Sequence, residues 1–534
     1  MNYYFNSRRS TVVARQGIVA TSQPLAAQAG LQMLIAGGNA VDAAVAATAT
    51  LSVLEPMSTG LGGDMFCLFW DAKKKQVVAL NGSGRSPNAA QAETLLRKGY
   101  QKVPFAGPDV AYSVTVPGSV DGWQTVLERF GRMTLKEVLK PAISYAKQGF
   151  VVSEMIAYAW QDYASKLTLH PSGQEFLLHG RAPRYGEIMH VPTLAHTLEQ
   201  LSEGGKEIFY HGALAEKIAR FVQSQGGWLT TQDLASHTST WETPIHTFYR
   251  GVSVWECPPN GQGLTALLAL NIAEHFDFST LYSAERYHFL IEAMRLSFAD
   301  ALHYIADPTQ HSVPVQALLS KPYAKQRHQL ISPDRALQNI HYGDPSSLAG
   351  DTVYVSVVDQ EGNACSFINS LYWGSGLVVP GTGIALHNRG ASFSLDPQHS
   401  NFLQGNKRPY HTLMPALATR DDELWLCFGV MGAFQQPQGH LQVVSNMVDF
   451  GLDPQQALNA LRFSVQLDTH TVQLEAGLPE TLLQGLQKKG HTLEIIDGHA
   501  RTHFGGGQVI VRDPKTGVLY AGSEPRKDGA AVGY

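Results

Sequence analysis

The chain has 534 residues, 44% of them hydrophobic and 16% charged, enough to bury a large core and, by length, to form roughly three or four domains. Its formal net charge of −5 offers no clustered basic excess, which argues against a nucleic acid or an anionic membrane as partner and for a small-molecule or peptide ligand. Four widely spaced cysteines, Cys67, Cys257, Cys365 and Cys427, have neither zinc-ligand spacing nor the density of a disulfide framework, so a reducing compartment is expected.

The start of the chain carries Arg8, Arg9 and Arg15 with no apolar run behind them, unlike a secretory signal, and a cytoplasmic location is expected. Helices are predicted over 26–36, 43–54, 265–275 and 284–305. Segment 39–54 is apolar but shorter than the ~20 residues of a membrane span, so it reads as a buried helix. In 284–305, Tyr287, Leu290, Ile291, Met294, Leu296 and Phe298 are expected on one side. Strands are predicted at 65–72, 75–84, 251–257, 423–430 and 507–513. The polar stretch 331–350 reads as an exposed or disordered connection, with helices denser before it and strands denser after it. No repeat or Ser/Gly linker separates independent domains.

After that connection the sequence "TVYVSVV" alternates as a strand, "DQEGN" supplies a turn, and "ACSFINS" returns. A turn centred near Glu361 pairs residues whose numbers sum to about 722, which sets Ser370 beside Thr352 on one face. A hydroxyl opening a strand behind a loose loop is what a self-cutting chain needs. Attack of Thr352 on the Asp351 carbonyl, then ester hydrolysis, frees an α-amine of reference pKa about 7.7–8.0, which can serve as base for its own hydroxyl. A plain strand threonine explains the same pattern.

Seven ordered blocks extend the argument: "NAVDAAVAATATLSVLEPMSTGLGGDMF", "EAMRLSFADALHYIADP", "GDTVYVSVVDQEGNA", "GTGIALHNRGASFS", "KRPYHTLMPAL", "MGAFQQPQGHLQVVSNMVDFG" and "SEPRKDGAAVGY". Together they resemble the γ-glutamyltransferase (γ-glutamyltranspeptidase, glutathione hydrolase-like) family of N-terminal nucleophile hydrolases, across nearly the whole chain. The resemblance implies a four-layer αββα sandwich built from two pieces of one cleaved precursor: 1–351 as large subunit and 352–534 as small subunit. The cut falls between Asp351 and Thr352, Thr352 attacks the substrate amide, and Ser370 takes the place of a hydroxyl that supports it. The family's oxyanion-binding Gly-Gly pair becomes Gly432–Ala433, before a helix expected from about Gly439. Its backbone donors survive the alanine provided φ stays negative there.

Recognition of the substrate head group departs from the family. Where glutathione-processing members have an Arg gripping the substrate α-carboxylate, this chain has Ser83, with Arg85 two residues on. The acid that holds the α-ammonium is replaced by Ser392, a Ser-Ser pair by His411–Thr412, and the Asn after the supporting hydroxyl by Tyr372. Arg85 and Arg389 are candidate cations for a carboxylate on the acyl part, and His411 is a candidate substrate contact. The Gly-rich runs at 59–64 and 504–509 lack P-loop and dinucleotide spacing, and no metal or organic cofactor is indicated.

The leading expectation is a self-processing amide hydrolase or acyl transferase acting on γ-glutamyl amides such as glutathione. The alternative is a short or dicarboxylic acyl amide, of oxamate or glutaryl type, and a third reading is a non-catalytic binding protein on the same scaffold. The expected partners are the amide substrate and the chain's own two subunits. A homo-oligomer of processed heterodimers is left open.

Overall fold

The six residues of Val353–Val358 are all buried, because the strand lies inside a sheet with covers on both faces. Val353, Val355 and Val357 pack with the helix Ala40–Leu54, whereas Tyr354 and Val358 point into a second apolar layer. It pairs antiparallel with Ala364–Ser370 in the register Val353↔Asn369 to Val358↔Ala364, the pairing that the turn at Glu361 predicts. The computed structural model describes residues 9–338, 340 and 352–534. Asp351 and the greater part of the 331–350 connection lie outside the described residues.

This hairpin sits centrally in a seven-stranded sheet ordered Ala530–Gly533, Ile18–Thr21, Val353–Val358, Ala364–Ser370, Asp64–Asp71, Gln76–Gly82 and Thr240–Glu242. The second seven-stranded sheet runs Val12–Ala14, Leu519–Ser523, Gly506–Arg512, Glu423–Met431, Ala416–Arg420, Val252–Glu256 and Ile245–Tyr249. Phe66, Leu68, Tyr354, Ile368, Leu417 and Ile510 fill the space between them. Helices Pro24–Ile35 and Ala40–Leu54 cover the first sheet; Gly263–Ala273, Ala284–Tyr304 and Gln435–Phe450 cover the second. The order of layers is therefore αββα. Both sheets interleave strands from before and after residue 352, so the several domains suggested by length are one sandwich.

Ala40–Leu54 begins at Asn39, which caps it in a reciprocal box with Asp42, and all of its residues are buried. Its alanines let it lie close to the central strands. Helix Ala284–Tyr304 differs from its expected one-sided face. Leu290, Ile291, Met294 and Phe298 join the core against the second sheet, but Leu296 packs with Leu268, Ile272 and Phe289 in a separate cluster. A helix buried on two sides hides its amphipathic period. All four cysteines are buried and free. Among the described residues no helix is long and apolar enough to cross a membrane.

Candidate active site

Two residues before Tyr354, at the mouth of the central hairpin, Thr352 is buried and its Oγ1 lies 3.1 Å from Ser370 Oγ. The Tyr372 N–H donates to the same Ser370 oxygen (2.7 Å), fixing that hydroxyl in place. Tyr372 pays for this turn with φ +64, a left-handed conformation that costs a non-glycine residue about 1–3 kcal/mol.

The second sheet crosses this point in the opposite chain direction. Ser356 Oγ donates to the Cys427 carbonyl (3.3 Å). The Tyr354 ring lies so close over Gly429 that a Cβ there would come within 2.6 Å of it. Following the two strands, Thr352 comes over the Met431–Gly432 end. There the N–H groups of Gly432 and Ala433 donate to no acceptor among the described residues, so the turn holds two unspent donors. Ala433 has φ +48 and Gly432 φ +129. The expectation of a negative φ at 433 is thus corrected: the alanine accepts a left-handed conformation that glycine would adopt freely. The helix behind the turn starts at Gln435 rather than Gly439, with Pro437 in its first turn, where a missing N–H costs nothing.

Arg389 is fully buried. Its Nη1 donates to Thr412 Oγ1 (2.9 Å) and its guanidinium lies 3.9 Å from the Tyr372 ring centroid, while among the described residues Nε and Nη2 have no hydrogen-bond partner. Burial pushes its pKa down to about 10, against the pull of Tyr372 and Asp64, so it stays charged at neutral pH. Asp64 acts on it without a hydrogen bond, so among the described residues this buried guanidinium keeps two idle donors and no hydrogen-bonded anion. Gln262 ties this group to the oxyanion turn, donating to the carbonyls of both Thr412 and Ala433 (2.9 Å each).

The other expected contacts divide differently. Arg85 donates through Nη1 to Asp307 (2.9 Å), so a carboxylate of this chain already answers its charge. His411 donates through Nε2 to Asp64 (3.1 Å), and its Nδ1 accepts from the Leu413 N–H (3.3 Å). With both ring nitrogens used internally, His411 positions its neighbours and has no polar atom left for a ligand. Ser392 donates to the carbonyls of Arg389 and Tyr410, locking a turn and supplying no charge for an ammonium.

Sequence reasoning missed Asp64, the buried residue opposite Ser370 in the adjoining strand. Its carboxylate accepts from Gly84 N–H (3.0 Å), Gly118 N–H (3.3 Å) and His411, with His387 Nδ1 at 3.4 Å. Burial raises its pKa, but His387 and His411 outweigh that and hold it well below the usual carboxylate range. Burial and the Arg389 charge push His411 down to about 3, leaving its ring neutral. The available signal was the Asp closing "TGLGGD", a run read only as turn glycines.

Elsewhere, His288, Glu292 and His491 form a buried group of metal-ligand type. There His288 Nδ1 and His491 Nε2 bond each other (2.8 Å) and Arg295 already gives Glu292 its cation (2.7 Å).

A paired-sheet αββα sandwich with a hydroxyl at the start of a central strand and free backbone donors over it defines an amide hydrolase of the N-terminal nucleophile type. The gamma-glutamyltranspeptidase family model matches residues 26–534. The chain is 38% identical to the glutathione hydrolase-like YwrD proenzyme of Bacillus subtilis, over 98% of this chain and 99% of that protein. It is 34% identical to the oxamate amidohydrolase proenzyme of Klebsiella pneumoniae, over 98% and 100% of the two chains. A solved cephalosporin acylase from Bacillus halodurans superposes with a TM-score of 0.93 at 44% identity, covering 100% of this chain and 98% of that one. The chain belongs to the gamma-glutamyltranspeptidase family, and its activity is of the γ-glutamyltransferase hydrolase type.

Proposed function

We propose that the protein cuts itself between Asp351 and Thr352 and then uses Thr352 to hydrolyse amides whose acyl part ends in a carboxylate and carries no α-ammonium. The observation that carries this substrate class is the buried Arg389 with its idle Nε and Nη2, a fork suited to one carboxylate. Ser392, bonded to two carbonyls, leaves the position of the family's ammonium-binding acid without charge. The relative named as an oxamate amidohydrolase acts on an amide whose acyl part is a carboxylate without an α-ammonium, which supports the same reading.

Maturation begins when Thr352 Oγ1 attacks the Asp351 carbonyl. The C–N bond breaks as the ester forms, which frees the Thr352 amine, and water then hydrolyses the ester to the Asp351 carboxylate and the Thr352 hydroxyl. In turnover that amine accepts the proton of its own hydroxyl as Oγ1 adds to the substrate carbonyl. Ser370 holds the attacking oxygen, and the N–H groups of Gly432 and Ala433 receive the oxyanion, a contribution of ~3–4 kcal/mol for such preorganised donors. The amine product leaves with the proton, and water attacks the acyl-enzyme to restore Thr352.

A second reading, γ-glutamyl transfer or hydrolysis, is favoured by the glutathione hydrolase-like relative; it needs an acid for the ammonium that Ser392 does not supply. Side-by-side assay of glutaryl, oxamate and γ-glutamyl amides separates the two. Turnover of γ-glutamyl amides alone contradicts the carboxylate-only assignment. A reducing, cytoplasmic setting remains part of the proposal, supported by four buried cysteines that are all free.

A further inference from the structure

The run QQPQGH, residues 435–440, forms the first turns of helix Gln435–Phe450, behind the oxyanion turn. Two of its side chains complete the sheet where the strands run out. Pairing between Ala416–Arg420 and Glu423–Met431 ends at Ala416↔Phe428. Two residues beyond Phe428, the Val430 N–H donates to His440 Nε2 (3.1 Å). Two residues before Ala416, the Met414 N–H donates to Gln436 Oε1 (3.0 Å). Because Nε2 accepts, the His440 ring carries its proton on Nδ1, which donates to Glu256 Oε1 (2.6 Å). Glu256 lies opposite Ala416 in the next strand, and Glu256, Gln436 and His440 are all fully buried. The helix sits so close to the strand that a Cβ at Gly439 would come within 2.5 Å of the Val430 side chain.

The turn that links strand and helix is strained: Ala433 keeps φ +48, a conformation that persists only where the surroundings impose it. Within the turn, the Gln435 N–H holds the Gly432 carbonyl (2.8 Å) and Gln262 holds that of Ala433. Neither bond fixes the helix against the strand, whereas His440 and Gln436 join the helix to the ends of two strands. We propose that His440, oriented by Glu256, and Gln436 are positioning residues that hold the Gly432 and Ala433 N–H groups where the oxyanion forms. Each acts through the turn and not on the substrate. The proposal rests on the reading of those N–H groups as the oxyanion donors and is independent of the acyl assignment.

The test uses an amide that wild-type protein hydrolyses and three variants. Glu256→Leu/His440→Phe replaces both partners of the buried bond by apolar groups of similar size, which keeps the fold. Misplaced oxyanion donors predict a kcat lower by about 10- to 100-fold, with KM within about threefold of wild type. Glu256→Gln, whose amide oxygen still accepts from Nδ1, should keep kcat within about threefold. Gln436→Met frees the Met414 N–H and should lower kcat in the same way; it decides the matter if the double variant does not fold. Wild-type kcat in the folded clamp variants, or a loss carried by KM alone, overturns the proposal. If wild-type protein hydrolyses no amide, the proposed function fails, and the crystal structure of a clamp variant still decides the clamp. The 432–434 turn should then shift by about 1 Å or more, with Ala433 leaving φ +48, and a turn that superposes on the wild type overturns it.

Discussion

Thr352 Oγ1 and Ser370 Oγ stand 3.1 Å apart across the open end of one hairpin, and the Tyr372 N–H fixes the second of them. Ser370→Ala removes the partner of the attacking oxygen without opening a large void. Losing one hydrogen bond of ~1–3 kcal/mol at a reacting atom predicts a fall of about 10- to 100-fold in self-cleavage rate and in kcat. Ser370→Thr should restore much of both. Timed denaturing gels and steady-state assays check this; unchanged rates in Ser370→Ala remove the residue from the mechanism.

Arg389 predicts two opposite effects. Arg389→Met removes a buried charge that Asp64 attracts but that no anion hydrogen-bonds among the described residues, so the ligand-free protein should be more stable by up to about 1–3 kcal/mol. Truncating the cationic partner of a buried carboxylate costs about 2–5 kcal/mol, so kcat/KM for a glutaryl amide should fall at least tenfold while the matching pentanoyl amide is spared. Melting temperatures and the two-substrate comparison check it; equal losses on both substrates contradict a carboxylate site.

Ala433, at φ +48, occupies a conformation that glycine adopts without penalty. Ala433→Gly keeps the same N–H donor and should stabilise the fold by up to about 1 kcal/mol, with kcat changed less than twofold. A denaturant midpoint and kcat measured together test it. Loss of stability on this change contradicts the strain.

The acid side of the stability profile follows from buried histidines. Burial pushes His237 down to about 4 and His411 and His491 to about 3. Near pH 6.5 and below, the unfolded chain protonates each of these rings and the folded chain refuses the proton. Stability is therefore full above about pH 6.5 and falls as pH drops toward 4, by up to ~1.4 kcal/mol per pH unit for each ring. Urea midpoints at pH 7, 6, 5 and 4 check the trend, and a flat series contradicts it.

Much of this site was legible in the sequence because its central relationship is local. Alternation and one turn fix the Thr352–Ser370 register, and the capped apolar run fixes Ala40–Leu54. Arg389 and Thr412 were legible as candidates, but that they bond each other and that two guanidinium nitrogens stay idle is a matter of packing. Asp64 lies 347 positions from His411, and no local pattern announces that contact. Arg85 looked equivalent to Arg389 until Asp307 claimed it. The φ at Ala433 follows from the crossing of two sheets, which residue type alone does not report.

The central claim is tested most directly by mass spectrometry and N-terminal sequencing of purified, active protein. The account predicts two pieces, residues 1–351 and 352–534, the second beginning with a free Thr352 amine, and a single uncut chain for Thr352→Ala. Full activity in material whose bond ahead of Thr352 is intact would contradict it.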